Sequence, residues 1–153
     1  MAITVNRRAD RELIYAILGS SQSGTWTGTA GDTLALRLYK GAPVLGKGDS
    51  RAYFIEASAA GYAKIYLAPT SWTVATLNAG TGDTSMASYA QQSFTFTAAD
   101  SVAGYFMTRV KARGSGGAGA DSIVLFAELF SDGPYKIPSG GGVIKCTPRL
   151  IVS

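Results

Sequence analysis

The chain has no histidine and only one cysteine among its 153 residues. Without histidine it lacks the one side chain that changes charge near neutral pH, which is also the commonest metal ligand. A lone Cys146 excludes an internal disulfide framework and a cysteine-clustered zinc site. With no imidazole to activate it, Cys146 is expected to be a small buried hydrophobe, on one strand with Ile144 and Pro148. Charge is scarce too. Charged residues make up 16% of the chain, against about a quarter in typical soluble domains. No apolar run reaches the ~18 residues of a membrane helix. No long apolar segment follows Arg7 and Arg8 either, so neither a spanning helix nor a cleaved signal peptide is expected.

What is present suits one domain. A chain of this length buries roughly 68–70% of its unfolded surface, and 46% of its residues are hydrophobic. The surface must then be mostly Ser, Thr, Gly and Ala. That suits a module that buries its outside against neighbours, and a small secreted domain is the plainer alternative. The net charge of +4 is dispersed, apart from Arg7, Arg8 and Arg11 and a second group at Arg109, Lys111 and Arg113. A single-strand binder would interleave aromatic platforms with a basic groove. The aromatics here fall instead into strand-like alternation, so nucleic acid is not expected as a partner.

Residues 7–18 read as the one helix, with Asn6 as N-cap and Gly19 as the C-terminal stop. Ala9, Leu13, Ala16 and Ile17 share one arc, extended by Ile14 and Leu18, while Arg7, Arg8, Arg11, Glu12 and Tyr15 occupy the other. A helix this short is marginal alone, so its apolar stripe must dock on its own domain or on a neighbouring subunit. Ser20 to Gly31 reads as a linker. The expected organisation is a helix-and-linker arm over residues 1–31 and a β-sandwich domain over 32–153. Arg7, Arg8, Arg11, Leu13 and Ile17 are the candidate assembly interface.

From Leu34 onward the period is two. Leu34, Leu36 and Leu38 alternate with Ala35, Arg37 and Tyr39. Strands are expected at Tyr53–Ala57, Tyr62–Leu67, Trp72–Leu77, Ser88–Thr97, Ala103–Lys111, Ile123–Phe130 and Val143–Val152. Asp132-Gly-Pro is a turn signal, and Pro148 inside the last strand demands a sheet edge or a bulge. Roughly eight strands with short loops imply an all-β, antiparallel sandwich or barrel. A jelly roll fits that count.

Two glycine motifs fail in context. Gly41 to Gly48 begins like a phosphate-binding loop, but Gly48 stands where a magnesium-binding hydroxyl is required, and a strand is expected next instead of a helix. Gly114-Ser-Gly116-Gly-Ala-Gly119 matches the dinucleotide fingerprint in letters only, since it leads into Asp121-Ser-Ile-Val-Leu-Phe, a strand. Glu56 and Glu128 could form an acid/base pair only if the fold brought them together. Carboxylates in such settings more often face solvent or pair with arginine. No enzymatic activity, metal or organic cofactor is expected.

Several segments resemble small tailed-bacteriophage proteins. These are Ser71-Trp-Thr-Val-Ala, Tyr89-Ala-Gln-Gln with Phe94-Thr-Phe, Gly104-Tyr-Phe, Phe130-Ser-Asp-Gly-Pro-Tyr and Thr147-Pro148. The likeness runs from about Leu34 to the end, and departs at the Gly41–Gly48 loop and the glycine run at 114–119. It implies a virion structural protein, with a capsid decoration (cement) protein as the leading form. Such a protein clamps neighbouring major capsid subunits as a homo-oligomer, often a trimer, on a particle assembled in the host cytoplasm. A tail component such as an adaptor, knob or short fibre is the alternative. A carbohydrate- or host-surface-binding module is a third.

Overall fold

In the computed structural model, residues 33–41, 51–68, 71–77, 84–110 and 123–152 are described. The expected helix at 7–18 and its linker lie outside them. The described residues form an all-β protein with antiparallel pairing throughout. Its strands are β1 (Thr33–Lys40), β2 (Ile55–Glu56), β3 (Ile65–Leu67), β4 (Thr73–Leu77), β5 (Thr84–Ser88) and β6 (Gln92–Phe96). They continue with β7 (Asp100–Val102), β8 (Gly104–Val110), β9 (Ile123–Leu129), β10 (Tyr135–Ile137), β11 (Gly142–Cys146) and β12 (Arg149–Val152).

One rule organises the second half. β8 pairs with β9, β7 with β10, β6 with β11 and β5 with β12, each pair nested outside the one before. Residues 84–110 therefore run antiparallel to residues 123–152 as one long ribbon, which folds over on itself to make two layers. This nested pairing is the scheme of a jelly roll, which the strand count alone could only allow. Ala103 alone separates β7 from β8, whereas five residues, 130–134, separate β9 from β10. The Asp132-Gly-Pro turn thus takes up the slack where the outer strand of the ribbon changes layer.

β1 lies beside β8 along its whole length. Its other edge is shared by β3, opposite Leu34 to Leu36, and β2, opposite Tyr39 and Lys40. The gap between those two short strands falls at Leu38. There the Ala57 N–H donates to the Leu38 carbonyl at 2.9 Å, and the Leu38 N–H donates to the Tyr62 hydroxyl at 3.1 Å. No backbone group of Leu38 is left unpaired, as burial demands.

The alternation in β1 divides two cores. Leu34, Leu36, Leu38, Tyr105 and Met107 face Phe94, Phe96, Ile144 and Cys146 of the other layer, all buried. Burying each such large apolar side chain contributes about 1.5–3 kcal/mol. On the opposite face Tyr39, Phe54 and Phe106 cluster, with the Phe54 and Phe106 rings stacked at 4.7 Å. The central sheet is buried on both sides, so it reads as a run with few polar residues.

Four expected strands need correction. Tyr53–Ala57 is not a continuous strand: a 3₁₀ turn at Arg51–Tyr53 precedes the two-residue β2, because the Phe54 N–H bonds back to the Arg51 carbonyl at 3.1 Å. Tyr62–Leu67 contracts to Ile65–Leu67, because Tyr62 leaves the strand to bridge the gap at Leu38. Ser88–Thr97 contracts to Gln92–Phe96, with Ser88 ending β5, and Val143–Val152 is split at Pro148, which lies opposite Tyr89. Lacking an N–H, Pro148 cannot continue the ladder, and its carbonyl accepts instead from Tyr89 at 3.1 Å. Asp100–Val102 and Tyr135–Ile137 were not expected at all, since three residues carry no readable period.

Candidate functional site

The two carboxylates singled out from sequence do not meet. Glu56 is on β2 and Glu128 on β9, at opposite edges of the central sheet. Glu56 is engaged in a buried network. Arg37 reaches both of its oxygens, at 3.1 and 2.8 Å, Arg51 donates at 3.0 Å, and the Tyr62 hydroxyl donates at 3.0 Å. Arg37 also donates to the Thr108 hydroxyl at 3.2 Å. Burial pushes the Glu56 carboxyl upward, but Arg51, Arg37 and Tyr62 together outweigh it and hold the group below the usual carboxylate range. A carboxylate satisfied on both oxygens is a structural anchor, with nothing left for substrate.

A second anchor ties the 57–61 loop to β7. Asp100 accepts the N–H groups of Ser58, Ala59 and Ser101 at 3.3, 3.1 and 2.8 Å, and pairs with Lys40 at 2.7 Å. Burial opposes this charge, but Lys40 and the three amides prevail, so its carboxyl is also lowered.

The feature open to a partner is a cleft on the other side of the sandwich, where β9 faces β11 and the start of β12. One part, of 580 Å³, is lined chiefly by Tyr105, Phe126, Phe130, Glu128, Lys145 and Arg149. A second part, of 400 Å³, continues past Phe130 and Lys145 to Tyr135 and Lys136. The rings form a row: Phe126 to Tyr105 at 6.3 Å, Tyr105 to Phe130 at 6.0 Å and Phe130 to Tyr135 at 5.1 Å. The Tyr105 hydroxyl donates a short hydrogen bond to Glu128 and accepts the Arg149 N–H. Burial, then the Glu128 carboxylate, raises its pKa. Cys146 borders the same cleft, and burial together with Glu128 pushes its thiol up to about 12. As expected, it behaves as a small hydrophobe.

Arg7, Arg8, Arg11, Leu13 and Ile17 lie outside the described residues, as does the glycine run at 114–119. Of the cleft residues, sequence reasoning singled out Glu128 and Cys146, but for other roles and not as parts of one site. Phe126, Glu128 and Phe130 do share one face of a strand by their spacing. That this face meets Lys145 and Arg149 follows only from the nested ribbon.

Among the described residues, no group of three or more side chains could hold a metal ion, and no helix is long and apolar enough to cross a membrane. Searches against family models, curated proteins and solved structures find no match to this chain.

Proposed function

We propose that this chain is a non-catalytic structural protein of a bacteriophage virion, most specifically a capsid decoration protein that bridges major capsid subunits. The observation that carries the proposal is the placement of exposed large apolar side chains. Ile55 is 69% and Tyr66 55% exposed at the β2/β3 edge, and Leu129 is 50% exposed on β9 at the opposite edge of the same sheet. Isolated exposed apolar residues are ordinary. Here three of them fall on the two edges of one sheet, where strands invite pairing. A bridging protein needs two separated contact surfaces, and these two edges support that reading. Several weak contacts per oligomer then multiply through avidity, by about 10²–10⁴, so no single contact need be strong. The neutral composition and the resemblance of residues 34–153 to small tailed-phage proteins support the same reading.

Quantitative mass spectrometry of purified particles tests it. A copy number that scales with the capsid lattice is expected. A number matching one symmetric ring would move the protein to the tail, and absence from particles would refute a virion role.

A further inference from the structure

We infer that the cleft between β9 and β10–β12 is a strand-acceptor site, which takes an extended, acidic and apolar segment of a partner protein as an added strand on β9. This deepens the virion reading by naming the chemistry of the partner.

The argument starts from the backbone. The Phe130 N–H bonds to the Ala103 carbonyl at 3.0 Å. In an antiparallel ladder, residues alternate between those bonded to the neighbour and those facing away. Glu128 and Phe126, in register with Tyr105 and Met107, therefore turn their amides toward β8. Ala127 and Leu129 turn theirs outward. Among the described residues β9 pairs only with β8, and β10, β11 and β12 each pair with a single strand. The strands that border the cleft thus each keep one edge without a described strand partner, although the Arg149 N–H of β12 is taken by the Tyr105 hydroxyl, and Leu129 is half exposed on β9.

The walls select the occupant. Phe126, Phe130 and Leu150 are half-buried and border the 580 Å³ space. An added strand would drop alternate apolar side chains into it, as in β-strand addition. The charged side chains are Lys136, Lys145 and Arg149 against Glu128 alone, and Glu128 is already bonded to Tyr105. Three cations against one carboxylate favour acidic residues in the guest. An oligosaccharide is the other occupant that an aromatic row could attract. It needs many free neutral polar groups, however, whereas the Tyr105 hydroxyl is engaged by Glu128 and the Arg149 N–H and most of the remaining polar groups are cations, which suits an acidic peptide better.

The test uses the full-length protein, immobilised and panned with a random dodecapeptide display library. Enriched peptides should alternate apolar residues and carry acidic ones. Ala127→Pro removes an outward N–H that bonds nothing among the described residues, so the described sheet keeps its ladder. It should weaken the enriched peptides by roughly tenfold or more. Lys145→Glu with Arg149→Glu, both at exposed positions, turns the lining from three cations and one carboxylate into one cation and three carboxylates, and should weaken them at least as much and reverse their salt dependence. Circular dichroism checks that each variant keeps its fold. Failure to enrich any peptide overturns the inference. So does enrichment of sequences that are not acidic, or binding that survives Ala127→Pro. Capture of acidic oligosaccharides on a glycan array, with no peptide binding, would reassign the cleft to carbohydrate. Because the assay uses isolated protein, it can fail while the particle copy number succeeds, and the reverse.

Discussion

Glu56→Ala removes the counter-ion of Arg37, whose side chain is 3% exposed. The guanidinium would keep only the Thr108 hydroxyl, at 3.2 Å. Breaking a buried ion pair from one side costs about 3–5 kcal/mol. The Glu56 side chain is 20% exposed, so water partly reaches the vacated site, and the lower end, about 3 kcal/mol, is expected. For a chain of this size that lowers Tm by about 6–12 °C, at roughly 2–4 °C per kcal/mol. Two further variants isolate the cause. Arg51→Ala removes a partner that is 41% exposed and should cost less than about 1 kcal/mol. Arg37→Met combined with Glu56→Leu replaces the pair by apolar groups and should cost less than Arg37→Met or Glu56→Leu alone. Urea unfolding followed by tryptophan fluorescence measures these variants, the two component single changes and the parent protein. The reasoning fails if Glu56→Ala costs under about 1 kcal/mol, or if the double variant shows no coupling between the two sites.

The same groups set an acid limit. Glu56 and Asp100 both have folded values below their ordinary 4.5 and 3.8, so the stability they contribute is fully present above those values and is lost as pH falls beneath them. Urea midpoints should hold level from pH 7 to about 5 and then decline, and Asp100→Asn should flatten part of that decline. Cys146 is 6% exposed, with its thiol pushed up to about 12. It should therefore ignore an aromatic disulfide reagent at pH 8 in native protein and react at once in denaturant, and rapid native labelling would contradict the packing. At Gly104 an added Cβ would lie within 2.7 Å of the Tyr39 ring and closer still to the Glu128 carbonyl. Gly104→Ala should thus destabilise by about 1–3 kcal/mol or more in the same urea assay, while Gly140→Ala, with open space around it, should leave the midpoint unchanged.

The sequence by itself determined the class of fold, because side-chain alternation is local. Leu34, Leu36 and Leu38 announce a strand whatever lies beside it, and Asp132-Gly-Pro announces a turn. Pro148 announced a sheet edge or a bulge for an equally local reason, its missing N–H, but not that the strand ends there. The tertiary structure alone decided the partners. Nothing near Leu36 indicates that it pairs with Met107, since strand pairing is settled by which long-range register buries both faces of the sheet. Three-residue strands such as Asp100–Val102 exist only because the ribbon carries them past Tyr135–Ile137. The fates of the two glutamates were non-local as well. Glu56 joined Arg37 across adjacent strands, and Glu128 went to the far edge beside Tyr105. The cleft depended on the same nesting. Its aromatic wall was legible as one strand face, but Lys145 and Arg149 reach it only after residues 123–152 fold back along residues 84–110 and bring two stretches of one strand to face each other.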